Sequence, residues 1–160
     1  MQQFERICEQ HVDAVRAYVR RRAPADLVED VVSETFLVCL RRIDATPSDP
    51  LPWLYGVTRK VLANERRRRA RTAPAHRDLV WEPEPVGDGA LAAAFAALSE
   101  RDREVLRLVA WEGLALREAA DALGCSALAC RVRYHRAKTR LAARLDAAAS
   151  FRPEPEGAMR

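Results

Sequence analysis

The side chains with the most to offer chemically are guanidinium groups. Four consecutive arginines, Arg66 to Arg69, follow Asn64 and Glu65, and a second set, Arg131, Arg133 and Arg136, recurs toward the C-terminal end with His135 among them. Such permanently charged, planar forks match phosphate oxygens and guanine edges. Four in a row encircle a helix end, so part of that turn must be solvated or face phosphate. Enzymatic chemistry finds no comparable support. There is no Gly-rich phosphate loop and no nucleophile with its base, and His11, His76 and His135 are widely scattered. Cys8, Cys39, Cys125 and Cys130 form no C-x2-C pair, and spacings of five along Cys125, Cys130 and His135 rotate each well away from the last on a helix. Neither a metal nor a cofactor is expected, and the cysteines read as reduced, buried small hydrophobes.

The charge distribution agrees with a nucleic-acid partner. The 160 residues carry a net charge of only +4. However, residues 1–72 hold 14 basic and 10 acidic side chains, 73–97 hold 1 and 4, and 98–150 hold 10 and 7. Two basic lobes flank an acidic spacer. Hydrophobic residues make up 49% of the chain, enough for a core, and only six glycines are present. That composition favours helices over a β-sandwich, and the length excludes a large Rossmann or barrel enzyme. No signal peptide or run of about 18 apolar residues is readable, so a cytoplasmic chain without membrane insertion is expected.

Hydrophobic periodicity places these residues on helices. Phe4, Ile7, Cys8, His11, Val12, Val15, Tyr18 and Val19 fall at helical spacing and predict a first helix ending before Pro24. Asp26 with Glu29 reads as a capping box for a second helix, with Val28, Val31, Val32, Thr35, Phe36 and Cys39 on its inner side. The proline-rich stretch 44–52 predicts a loop, and Pro52 then opens a third helix that runs into the arginines. Residues 71–90 read as a flexible acidic linker containing Trp81. Beyond it, helices are expected over 90–98, after a second capping box at Ser99 and Asp102, over 116–123, and from about Ala127 to Ala148. Gly113 and Gly124 mark turns, and the tail 149–160 reads as disordered.

Helix, glycine turn, helix is the helix-turn-helix pattern. On the last helix Cys130, Tyr134, Ala137 and Leu141 share one side, the expected core. Leu128, Ala129, Val132, His135, Arg136 and Thr139 lie opposite, flanked by Arg131 and Arg133. A helix entering a major groove presents such a face: arginines for phosphates, Arg136 for guanine, Leu128 and Val132 for thymine methyls. The same apolar residues also suit a helix that packs on a protein.

From Phe4 to about Leu145 the chain resembles the extracytoplasmic-function (ECF) class of bacterial RNA polymerase sigma factors. The resemblance is carried by the segments 30–36 (DVVSETF) and 52–59 (PWLYGVTR) with the arginine run, and by 98–106 (LSERDREVL) and 118–126 (EAADALGCS) continuing to His135-Arg136-Ala137-Lys138. It implies an all-α chain of two small domains, a sigma-two-like bundle at 1–70 and a sigma-four-like helix-turn-helix at 91–148, joined by the linker. It implies a transcription initiation factor, not an enzyme, whose partners are core RNA polymerase (β′ clamp helices and β flap), promoter DNA and an anti-sigma protein.

Positions carried over from the resemblance follow residue by residue. Asp30, Ser33, Glu34 and Leu37 match the surface that docks on the clamp. Arg59, Lys60, Arg66, Arg67 and Arg68 match a cationic path for the strand displaced at the minus-ten element. The loop around Thr46 to Pro50, with Asn64 on the neighbouring helix, matches the place of base capture, and Trp53 supports it. Ser126, Leu128, Ala129, Arg131, Val132, Arg133, His135 and Arg136 match the helix that reads the minus-thirty-five element. The chain departs from the family pattern at Ser33 (usually Gln), Lys60 (often Asn), Asn64 (often Asp), Leu128 (often Gly), Ala129 (often Thr) and Val132 (often Ser). A stand-alone helix-turn-helix regulator and a protein-binding helical adaptor are the alternatives from other classes.

Overall fold

The computed structural model describes residues 2–72 and 89–150. It contains α1 (Gln2–Arg20), a 3-10 turn (Ala25–Leu27), α2 (Val28–Arg41), a second 3-10 turn (Ile43–Ala45), α3 (Leu51–Thr72), α4 (Gly89–Ala96), α5 (Glu100–Ala110), α6 (Leu116–Leu123) and α7 (Ala127–Ser150). The all-α expectation is met, with no strand among the described residues. Residues 71–72 and 89–90, expected in the linker, belong to α3 and α4, and Ala149 and Ser150, expected in the tail, remain in α7. The rest of the linker, including Trp81, and the tail from 151 lie outside the described residues.

In the first lobe α1, α2 and α3 pack around Val15, Tyr18, Val19, Val31, Phe36, Cys39, Leu54 and Leu62, all buried. Where α2 crosses α3, Thr35 and Thr58 are fully buried. Each hydroxyl donates 2.8 Å to the carbonyl four residues back, Val31 and Leu54, so no polar atom is stranded there. The capping box expected at Asp26 and Glu29 does not form. Asp26 lies in the 3-10 turn, and the residue before α2 is Leu27, which offers no side-chain cap. Both carboxylates instead take arginine partners from other helices: Arg69 to Asp26 at 2.7 Å, Arg16 to Glu29 at 2.9 Å. An ion pair between helices ties down a helix start that a cap would have satisfied locally.

In the second lobe, the Ser99 hydroxyl accepts the Asp102 amide at 3.1 Å, the cap expected from the sequence. The Asp102 carboxylate does not reach back to complete a box. It is buried and accepts from Arg140 of α7 at 2.6 Å, pinning the far end of that helix to α5. Gly124 adopts φ +66°, the left-handed turn that ends α6 and redirects the chain into α7, and the Ser126 hydroxyl caps the new helix by accepting the Ala129 amide.

The two lobes pack against each other. α6 lies along α3, and a methyl added at Gly56 would sit 3.1 Å from the Ala122 carbonyl oxygen, so glycine lets the two helices approach more closely than alanine would. Beside that crossing, Arg22 of the first lobe is buried against Glu104 (2.8 Å) and Glu112 (2.7 Å) of the second. The Tyr18 hydroxyl donates to Glu104 at 2.7 Å. The Arg22 guanidinium lies 3.5 Å from the Tyr18 ring centre, and Tyr18 stacks on Tyr55 at 4.7 Å.

Candidate nucleic-acid interface

α7 keeps its inner face, Cys130 and Ala137, fully buried, because α4, α5 and α6 all pack on it. Its outer face is open to solvent. Leu128 is 70% exposed and Val132 40%, and Ser126, Ala129, Arg131, His135 and Arg136 are exposed beside them. Two large apolar side chains held in water next to Arg131 and Arg136 have no folding reason to be there. Arg133 departs from expectation: it is half-buried and lines a cavity shared with α1, α3 and α5. One residue's turn of the helix carries it past the exposed margin onto the side where the first lobe sits.

α3 is arranged differently. The sequence-predicted cations lie along it, but most are already engaged. Arg59 donates to the Leu123 carbonyl at 3.1 Å, Arg66 to Glu100, Arg67 to Asn64, and Arg68 to Glu65 at 2.9 Å. Two of these four contacts, those of Arg59 and Arg66, reach into the second lobe. Among the predicted cations, Lys60 is exposed with no ion-pair partner among the described residues. Arginine hydrogen bonds, then burial opposing them, hold Glu65 below the usual carboxylate range, so it stays ionised beside Arg68 and Arg69.

Asp30, Ser33, Glu34 and Leu37 fall on one exposed face of α2, with Leu37 45% exposed. Asp30 and Glu34 form one wall of an open groove of about 770 Å³. Arg59, Lys60, Asn64 and Arg68 form the facing wall, and Asp121, Ala122 and Gly124 of the second lobe close one end. Trp53 is half-buried and packed on the core at the same groove. The loop Thr46–Pro50 is not brought together with Asn64. It shares a separate groove of about 270 Å³ with Gln3, Arg6 and Gln10 of α1. Among the described residues no group of three metal-ligating side chains exists, and the four cysteines are free thiols, Cys39 and Cys130 buried.

Comparison with known proteins decides the family. The Sigma-70 region 2 family matches residues 7–72 and the Sigma-70, region 4 family matches residues 88–141. The ECF RNA polymerase sigma factor EcfG of Rhodopseudomonas palustris is 31% identical over 89% of this chain and 86% of its own length. The ECF RNA polymerase sigma factor SigF of Caulobacter vibrioides is 38% identical over 82% and 79%. The chain belongs to the ECF RNA polymerase sigma factors. In fold, this sigma factor is similar to RpoE of Bartonella quintana, solved with the anti-sigma factor NepR: TM-score 0.69, 24% identity, 91% of this chain and 98% of that one covered. As a sigma factor it is a transcription initiation factor and not an enzyme; core RNA polymerase and promoter DNA are its partners, and polymerase carries out the chemistry. No helix among the described residues is long and apolar enough to cross a membrane.

Sequence reasoning missed the network between the lobes. Tyr18 and Arg22 lie more than 80 positions from Glu104 and Glu112, and each reads singly as a surface or core residue. One signal was present: Tyr18 and Arg22 are four apart, one above the other on the turn leading out of α1.

Proposed function

We infer that this sigma factor divides promoter recognition between its lobes. Residues 1–70 form the part that docks on polymerase and opens the minus-ten region, and 91–148 the part that reads the minus-thirty-five element. The observation that carries this reading is the outward face of α7, where Ser126, Leu128, Ala129, Arg131, Val132, His135 and Arg136 stand exposed while the helix is held firmly from behind. Arg136 supplies the hydrogen-bonding readout of guanine, and Arg131 the backbone charge. With apolar Leu128, Ala129 and Val132 between them, methyl contact and phosphate charge provide relatively more of the affinity than in relatives with polar residues there.

On α2, Asp30, Ser33, Glu34 and Leu37 present an acidic stripe beside an apolar edge that suits the basic, helical β′ clamp, and the second lobe meets the β flap. Along α3, Arg59, Lys60, Arg66, Arg67 and Arg68, with Asn64, guide the displaced strand, and Trp53 holds the adjoining surface. With α6 seated on α3, Arg59 and Arg66 already have partners in the second lobe. Strand capture exchanges those partners for phosphates, so the lobes part when the promoter opens. The factor works in the cytoplasm, and an anti-sigma protein is its negative partner.

Run-off transcription with purified core polymerase and a promoter fragment library tests this reading. Promoter-specific transcripts that depend on the chain and vanish with Arg136→Ala are expected. Unchanged output from Arg136→Ala would remove the role assigned to α7.

A further inference from the structure

The cavity between the lobes has a character that promoter recognition does not explain. It is a partly open cleft of about 690 Å³, within the size range of small-molecule sites. Six arginines, Arg22, Arg59, Arg66, Arg101, Arg107 and Arg133, line it against two glutamates. Those two, Glu100 and Glu104, are already paired with Arg66 and Arg22. Arg107 is the decisive residue. It is 95% buried by accessible surface (5% exposed), and its Nε has no hydrogen-bond partner. Its guanidinium carbon lies 5.2 Å from the centre of the Phe95 ring. Burial, and after it the neighbouring Arg22 charge, pushes Arg107 down to about 10, still cationic at pH 7 but short of counter-charge. The Nε of Arg59 is likewise buried without a partner, and Arg101 and Arg133 have no ion-pair partner among the described residues. The first turn of α5, through Ser99, Glu100 and Arg101, also faces the cavity and adds the positive end of a helix dipole.

A buried guanidinium without its full set of acceptors is costly unless something supplies them. We propose that the cavity between the lobes binds a small, multiply charged phosphate anion of nucleoside-polyphosphate size, held by Arg107, Arg101 and Arg133 of the second lobe and by Arg59 of the first. The ligand bridges helices of both lobes and so fixes them in the packed arrangement. Its binding rests on the cavity alone. Its consequence, a factor held back from promoter opening, rests on the proposed role of α3.

Isothermal titration of the full-length chain with inorganic tripolyphosphate tests the site, without polymerase or promoter, so that its outcome is independent of the Arg136 experiment. One saturable site per chain is expected. Arg107→Gln weakens it about tenfold or more and Arg101→Ala about threefold, as loss of charge-assisted bonds requires, while Arg41→Ala on the distant outer end of α2 leaves it unchanged. Should Arg107→Gln fail to fold by circular dichroism, Arg101→Ala and the Arg101→Ala/Arg133→Gln pair carry the test. In urea just below the unfolding transition, where the lobes begin to part, energy transfer between dyes at positions 41 and 117, one on each lobe, rises on adding the anion. Three results would each overturn the proposal: no saturable binding, equal weakening by Arg41→Ala, or a random single-stranded oligonucleotide displacing tripolyphosphate from the wild type at lower concentration than tripolyphosphate itself binds. Transfer that stays constant or falls as the site fills would overturn the bridging.

Discussion

α7 and α3 are both arginine-rich helices, and both are assigned to promoter DNA, yet they meet solvent in opposite ways. The outer face of α7 is open, its arginines Arg131 and Arg136 exposed beside Leu128 and Val132. Five arginines of α3, Arg59 and Arg66 to Arg69, have taken protein partners, two of them across the lobe boundary. The contrast follows from spacing. α7 is short of carboxylates, with Asp146 the only one along its length, whereas α3 carries Glu65 within one turn of Arg68 and Arg69 and faces Asp26 and Glu100 from neighbouring helices. On the proposed division of roles, α7 meets duplex DNA as it stands, whereas α3 exchanges ion pairs for phosphates, which would couple strand capture to movement of the lobes.

Breaking the open side of the comparison has the largest expected effect. Arg136→Ala removes the one exposed bidentate donor in the middle of the α7 face and abolishes promoter-specific run-off transcription while leaving thermal stability within about 0.5 kcal/mol of wild type, because the residue is exposed. Next comes the covered side. Glu104→Ala strips Arg22 and Tyr18 of a shared buried acceptor and is expected to cost about 3 kcal/mol, since a buried charge losing a partner is strongly penalised. Calorimetric melting reads this as a fall of several degrees, and energy transfer between the lobes falls with it.

The helices, the helix-turn-helix and the outer side of α7 were legible because their signals are local: period 3.6 along α1 and α2, the Ser99 cap and the turn glycine at 124. The capping box at Asp26 and Glu29 was misread for a physical reason. The same two carboxylates that suit a helix start also suit an ion pair, and only the fold brings Arg69 and Arg16 beside them. Arg133, expected on a margin of the exposed face, is half-buried because helical projection knows nothing of the first lobe packed beside it. The inter-lobe network, from Tyr18 and Arg22 to Glu104 and Glu112, was invisible for the same reason, as it depends on contacts between residues far apart in sequence. Asn64 and the loop Thr46–Pro50, coupled by family resemblance, open onto different grooves here.

Two smaller perturbations sharpen the contrast. Gly56→Ala places a methyl 3.1 Å from the Ala122 carbonyl oxygen and pushes α6 off α3 by a few tenths of an ångström. It is expected to weaken lobe packing by about 1 kcal/mol, the scale of mild overpacking, and to raise binding of a random single-stranded oligonucleotide by the free chain. The same change leaves duplex binding through α7 unaltered, and a reduction in both would mean general unfolding.

Acid gives the smallest effect. Burial alone would raise the Glu104 carboxyl, but the Arg22 charge, with hydrogen bonds from Arg22 and Tyr18, outweighs it and holds Glu104 below the ordinary carboxylate range. The stabilisation is therefore full above the unfolded value of about 4.3 and is lost as pH falls through the lower folded value. Melting followed from pH 5 to pH 3 should decline more steeply for wild type than for Glu104→Gln, and parallel declines would show that this carboxylate does not hold the lobes together.

In the free factor the second lobe packs on α3, and on the proposed function it leaves α3 when polymerase opens a promoter. Energy transfer between dyes at positions 41 and 117 measures this directly, first in the free chain and then in the complex with core polymerase on an opened promoter. High transfer is expected in the free chain, with a clear fall in the open complex. Transfer that stays equally high in a complex yielding specific transcripts would rule out the parting of the lobes.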